Sequence, residues 1–244
     1  KAFAMALNTI GPDCSQLTRR QLEHAIARLL LPTTFLVAAL SLAAPSTIVA
    51  QDKTAATDAA DWISLFDGKT FAGWEGNLDV FRIENGAIVG GSLDKAVARN
   101  EFLCTEKQFQ NFELQLKCKL VGAGANAGIQ FRTKRIPNHH EVSGYQADMG
   151  EGWWGKLYDE SRRNKVLAQQ SAGQTSPPVH ADQWNDYRIR CEGDHIQLWL
   201  NGVLTVDYRE QDADIERDGV IAVQIHGGPP SEAWYTDIKI RELQ

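Results

Sequence analysis

From Asp61 onwards, apolar and polar residues alternate with a period of two along most of the chain. Successive side chains of a strand point to opposite sides, so this alternation marks strands with one buried face. The predicted strands are VFRIENGAIVGG, FELQLKCKLV, AGIQFRT, GYQADM, DYRIRCEGDHIQLWLNGVLTVDY, GVIAVQIHG and WYTDIKIREL. Asn201-Gly202 lies between two alternating runs and predicts a tight hairpin, because both residues accept a positive φ. Glu84-Asn85-Gly86 and Glu192-Gly193-Asp194 mark further turns. No stretch carries a good amphipathic helical pattern. Many short strands joined by turns therefore predict an all-β sandwich or barrel. Without internal repeats, one domain over 61–244 is the economical division.

The first 60 residues break this pattern. Arg19, Arg20 and Arg28 precede an apolar run from Leu29 to Leu42, followed by AAPSTIVA and the polar QDKTAATDAAD. That order predicts a signal peptide over 1–50, cleaved after Ala50, and a short polar linker over 51–60. The apolar run is short for a membrane span and contains Pro32, so no permanent span is expected. The domain is then exported, to the periplasm or the extracellular space. Of the four cysteines, Cys14 falls in the segment expected to be removed. Cys118 and Cys191 share the apolar faces of their strands, as small core residues would. A Cys104–Cys118 bridge is not indicated, and three scattered cysteines make no zinc site.

With 244 residues, 43% of them hydrophobic and seven tryptophans, the chain can bury a real core. Its net charge is −6, with acidic and basic residues interspersed. A chain without a Lys/Arg block lacks the electrostatic footprint of a nucleic-acid binder.

Three strands show an unusual polar face. In GIQFRT, Ile129 and Phe131 oppose Gly128, Gln130 and Arg132; in GYQADM, Tyr145, Ala147 and Met149 oppose Gly144, Gln146 and Asp148. In VIAVQIHG, Ile221, Val223 and Ile225 oppose Ala222, Gln224 and His226. These faces mix small residues with hydrogen-bonding ones, whereas FELQLKCKLV turns Glu113, Gln115, Lys117 and Lys119 outward like an ordinary solvated surface. If the three strands share a sheet, Arg132, Gln130, Gln146, Asp148, Gln224 and His226 meet on one face. Amides, carboxylates and a guanidinium beside Trp and Tyr suit a sugar, whose hydroxyls need paired partners and whose apolar face stacks on rings. Adjacent Trp153 and Trp154, with Glu151, are placed at the rim, and one of the two rings is expected to face the sugar. Trp184, Trp199 and Trp234 are expected in the core.

The segment WISLFDGKT followed by Gly73-Trp74 resembles the opening of the 3-keto-disaccharide hydrolase domain family. The resemblance continues, in order, through NFELQLKCKL, GAGANAGIQFR, SGYQAD, QWNDYRIRCEGDHIQLWLNGVLTVDY, GVIAVQIHGG and DIKIREL, and covers 61–244. It implies a concanavalin A-like lectin/glucanase jelly-roll sandwich. It also implies cleavage of glycosides already oxidised at C3. A ketone at C3 acidifies the C2 proton; a base removes it, the enolate expels the C1 oxygen, and water adds back. Such a site needs a base near working pH, stabilisation of the enolate oxygen and an acid for the leaving group. No E-x-D-x-x-E strand motif of a conventional glucanase is present. Gln146 stands where many members carry Glu, and Asp148 where they carry Gln, so the GYQAD/GEGWWG pattern looks like a subgroup.

Histidine is the side chain generally suited to acid/base work at neutral pH, so His226 leads the candidate catalytic groups, with Asp148 and Tyr158. Arg132, Gln130, Gln146, Glu151, Trp153, Trp154, Glu160 and Gln224 are the candidate sugar contacts. Arg162 and Arg163 are placed to neutralise Asp159 and Glu160. His139-His140-Glu141 looks like a metal site in miniature, yet adjacent side chains on one loop rarely chelate together. No cofactor is assigned, although a divalent cation is compatible with the chemistry. The partner expected is a carbohydrate, and the alternative function is a non-catalytic lectin-like module on the same fold.

Overall fold

A computed structural model describes residues 61–244. The predicted signal peptide, the linker and Cys14 lie outside the described residues. Among those described there is no helix, and fifteen strands form two antiparallel sheets packed face to face.

The eight-stranded sheet runs in the order β13 (Val203–Arg209), β12 (His195–Leu200), β11 (Asn185–Glu192), β6 (Phe112–Val121), β15 (Ser231–Glu242), β4 (Ala87–Ser92) and β3 (Phe81–Glu84), with β1 (Ile63–Ser64) on β15. The seven-stranded sheet runs β10 (Lys165–Ala168), β9 (Leu157–Glu160), β8 (Val142–Gly150), β7 (Asn126–Arg135), β14 (Gly219–Ile225), β5 (Glu101–Phe109) and β2 (Trp74–Glu75). Most strands follow the alternation in the sequence. β5 was hidden because EFLCT is buried at every position before the run turns exposed at Glu106.

The inter-sheet core takes one face of each strand: Leu114, Leu116 and Cys118 of β6, Ile189 and Cys191 of β11, and Ile129, Ala147, Met149, Ile221 and Val223 from the facing sheet. Residues i and i+2 share a face, so burial of Ile196, Leu198 and Leu200 forces Trp199 outward. Trp184 is exposed, and Trp234 packs with Ala87 and Val89 in a separate cluster. Trp234 is thus buried as the sequence led one to expect, whereas Trp184 and Trp199 lie outside the core, contrary to that expectation. Cys104, Cys118 and Cys191 are all buried and free. The hairpin at Asn201-Gly202 has positive φ at both residues, 48° and 80°.

One departure from regular strands shapes the molecule. Pairing of β7 with β8 shifts register between Phe131 and Lys134, where Arg132 has a φ of 46°. Beyond this bulge the β7–β8 hairpin folds across the outer face of its own sheet. Val142 of β8 packs on Phe102, Cys104 and Ala222 of β5 and β14, although β7 and β14 lie between β8 and β5 in the sheet. Arg135 donates to the Phe102 carbonyl at 3.0 Å, and the His140 Nδ1 lies 3.0 Å from the Asn100 carbonyl. A trough results between the sheet and its own overhanging hairpin.

Candidate active site

The trough is lined by the polar faces of β7, β8, β14 and β9. Register sets Gln130 beside Gln146, Gln146 beside Tyr158, and Gly128 beside Asp148. Gln130 donates to the Gln146 carbonyl oxygen, and the Gln146 amide donates to Asp148 Oδ1. Gln224 comes from β14 and Glu160 from β9, three strands away, yet Gln224 Nε2 lies 3.5 Å from Glu160 Oε2. Only the curl of the sheet allows that approach.

Small residues make room for these long side chains. A Cβ on Gly128 would stand 2.5 Å from the Gln146 carboxamide carbon, and one on Gly144 would stand 2.6 Å from the Thr133 backbone. Glycine at 128 lets Gln146 lie flat across β7 towards Asp148.

The site is polar and buried. Among the described residues, neither Asp148 nor Glu160 takes part in an ion pair, and the charge of Lys156 is the smallest of the effects on Asp148. Burial raises the Asp148 carboxyl to about 7, opposed by the Gln146 hydrogen bond and reinforced by the charge of Glu160. Burial also raises Glu160, with the nearby Glu141 charge adding to the shift and His226 opposing it. Asp148 Oδ2 and the Oε1 atoms of Gln130 and Gln224 are buried with no hydrogen-bond partner. Native interiors rarely leave such atoms unsatisfied, and each orphan is a position that a ligand can fill.

The arginines that sequence placed nearby are committed elsewhere. Arg162 pairs with the buried Asp159 at 2.7 Å; Arg163 pairs with Asp159 and, at 2.7 Å, with Glu210. Glu160 is therefore not neutralised by them. Arg132 does not join the trough either. Its place in the bulge turns the side chain away, to the Gln110 and Gly193 carbonyls at 2.8 Å each and to Asn111 Oδ1 at 3.2 Å. It clamps the β5–β6 turn to the β11–β12 turn.

Of the remaining candidates, Tyr158 is half-buried on the trough face and His226 is exposed at the end of β14, its Nδ1 2.7 Å from the Gly227 carbonyl. Glu151 and Trp153 sit exposed on the β8–β9 turn, where Trp153 meets Tyr158 edge-on at 6.1 Å. Trp154 turns the other way, packs against the core and stacks on Tyr187 at 6.4 Å. Trp153 is the ring exposed at the rim, and Trp154 is the one that faces the core. His139 stacks on His140 and Glu141 reaches Ser161 Oγ at 3.4 Å. Among the described residues, no three His, Cys, Asp or Glu side chains converge to hold a metal ion.

Two residues outside the sequence-based set hold the site from below. Tyr187 of β11 crosses the core, donates to the Asp148 carbonyl at 2.6 Å and accepts from the Gly155 N–H at 2.8 Å. Tyr235 of β15 donates to the Gln224 carbonyl at 2.5 Å, with the Gly128 carbonyl 3.3 Å away. Both rings lie on core faces. A tyrosine in an apolar core needs a partner for its hydroxyl, and that need was the available signal. Asn100 is a third: its Oδ1 accepts from the Gly227 N–H at 3.0 Å and its Nδ2 donates to Glu141 at 3.3 Å, tying the segment after His226 to the overhanging hairpin.

Two antiparallel sheets with a curled polar face describe a jelly-roll sandwich, and comparison with known proteins agrees. Residues 61–241 match the family model of the 3-keto-alpha-glucoside-1,2-lyase-like domain, and the chain belongs to that family. It is 34% identical over 88 residues to a 3-keto-disaccharide hydrolase of Bacteroides thetaiotaomicron, a segment spanning 32% of this chain and 30% of that protein. In fold it is similar to a protein of Parabacteroides distasonis provisionally classed as a glycosyl hydrolase, with a TM-score of 0.58 and 20% identity over 75% of this chain and 94% of the other. The carbohydrate-binding module CBM66 of Bacillus subtilis gives a TM-score of 0.53 and 14% identity, covering 70% of this chain and 96% of that one.

Proposed function

We propose that the protein cleaves glycosides oxidised at C3, by elimination across C1–C2 followed by addition of water. The observation that carries this reading is Asp148: a buried carboxyl without an ion pair, raised to about 7, among amides with unmet hydrogen bonds. In this role Asp148 takes the acidified C2 proton. A base works best when its pKa lies near the operating pH, and burial supplies that match. The side-chain amides of Gln130 and Gln224 bind the sugar and face the enolate oxygen; either end of an amide can be presented, since O and N are exchangeable by rotation. Glu160, 3.5 Å from Gln224, helps to bind the sugar, and His226 at the end of β14 supplies the proton to the departing C1 oxygen. Trp153 at the rim stacks on the leaving sugar.

The test is to incubate the purified protein with 3-keto-trehalose or 3-keto-glucosides beside the same sugars unoxidised. Free sugar released from the oxidised set alone is the expected result. No turnover with or without added divalent metal, while sugar binding persists, would leave a lectin-like module in its place. Export is part of the same proposal and rests on the Arg19–Ala50 pattern; fractionation of cells making the full chain tests it, and retention in the cytoplasm overturns it.

A further inference from the structure

The other sheet carries a second feature. On the outer face of the eight-stranded sheet, β1, β6, β11, β12 and β15 enclose a groove of about 640 Å³. Its floor is a row of side chains set by register: Trp199 beside Arg188, Arg188 beside Gln115, Gln115 beside Lys239, and Lys239 beside Ser64. The row crosses four strand spacings, roughly 19 Å, which is the length of a short oligosaccharide rather than of a single ring. Trp199 stands at one end and Trp62 at the other. A bulge in β15, with Asp237 at a φ of 51°, turns Thr236 and Asp237 both outward while Tyr235 and Ile238 stay in the core, and it brings Asp237 and Lys239 to the groove face.

We propose that this groove is a second carbohydrate site, distinct from the trough, that takes a neutral oligosaccharide chain lying across the strands. Indoles at both ends and an amide, carboxylates and cations between them supply ring faces and paired hydroxyl partners in alternation. Charge selects the neutral class. Lys117 is paired with Asp186 at 2.8 Å, and Arg188 with Glu113 at 2.6 Å while it stacks on Trp199 at 4.3 Å. Lys239 lies over Trp62 at 5.3 Å. The groove cations already have partners, so they orient the indoles instead of attracting an acidic polymer. The trough and the groove lie on outer faces of different sheets, so a polymer bound in the groove would hold the protein on its source of glycosides without blocking the trough.

The experiment is affinity gel electrophoresis of the full chain in gels carrying soluble neutral polysaccharides (β-1,3-glucan, β-1,4-glucan, xylan, mannan and starch), with turnover of a 3-keto-disaccharide measured in parallel. Retardation by at least one of them is expected. Trp199→Ala should weaken it about tenfold or more, as loss of an aromatic anchor does. Gln115→Arg, a change on the half-buried outer face that plugs the floor without touching the core, should do the same, and both should keep their turnover. Asp148→Asn should lose turnover and keep its retardation. No retardation by any of the polysaccharides, or retardation undiminished in Gln115→Arg, overturns the proposal. Failed turnover with groove-dependent retardation intact sinks only the enzymatic reading.

Discussion

In the proposed reaction the chemistry rests on one side chain, Asp148. Its carboxyl is raised from 3.8 to about 7 first by burial, and only then by the charge of Glu160. As a base it must be ionised, so activity on 3-keto-glycosides should rise with pH through about 7, with the acid limb of the kcat/KM profile reporting the free enzyme. Asp148→Asn keeps the shape and removes the base; the expected loss in kcat is about 10²–10⁴-fold, read in a steady-state assay. Glu160→Gln removes a neighbouring negative charge, so the acid limb should move to lower pH while the maximum rate also falls. A limb that stays in place would show that Glu160 does not act on Asp148 electrostatically.

At the scale of the strand, the trough depends on residues that never touch it. Tyr187→Phe strips the donor from the Asp148 carbonyl and the acceptor from Gly155 N–H, both in the buried interior. Leaving such groups unpaired costs about 1–3 kcal/mol, seen as a lower midpoint in denaturant unfolding. Because the carbonyl belongs to the residue proposed as the base, kcat should fall more than that stability loss alone implies, at temperatures where the variant is still folded. Gly128→Ala tests the same strand from the sugar side. Its Cβ meets the Gln146 carboxamide carbon at 2.5 Å, so Gln146 must swing off Asp148. That variant should lose the hydrogen bond that lowers Asp148, and the acid limb should shift upward.

For the whole molecule, two buried carboxyls give opposite pH dependences. Folding raises the Asp148 carboxyl above its unfolded value, so the folded state takes up a proton and stability falls as pH rises from about 4 to 7; the full cost, roughly 4 kcal/mol for a shift of this size, is present above that window. Glu210 runs the other way. Despite burial, the Arg163 ion pair and the Tyr145 hydroxyl hold it down at about 2, so its contribution is present above 4.5 and lost as pH falls towards 2. Thermal melts of the wild type should therefore show an optimum on the acid side of neutrality. Asp148→Asn should raise Tm more at pH 8 than at pH 5. An equal rise at both would mean that folding does not raise this carboxyl and that it is already ionised in the folded protein at pH 5.

Much of this was legible in the chain. Period-two alternation determined the strands of the sandwich, the Asn201-Gly202 hairpin and the polar faces bearing Gln130, Gln146, Asp148 and Gln224, because a strand has only two sides and the core claims one. The same rule would have turned Trp199 outward, had burial of Ile196, Leu198 and Leu200 been weighed before the usual preference of tryptophan for interiors. Tertiary structure decided what alternation cannot carry. The bulge at Arg132 reversed one side chain and swung a hairpin over the sheet; ion pairs of Asp159 and Glu210 took up the arginines that proximity in sequence had lent to Glu160. The turn at Gly150–Gly155 sent Trp153 out and Trp154 in. Tyr187 and Tyr235 reached their carbonyls only because the opposite sheet lies one side chain away. A local pattern fixes which way a residue faces while the ladder stays regular, whereas a carboxyl's charge depends on partners brought from distant parts of the chain.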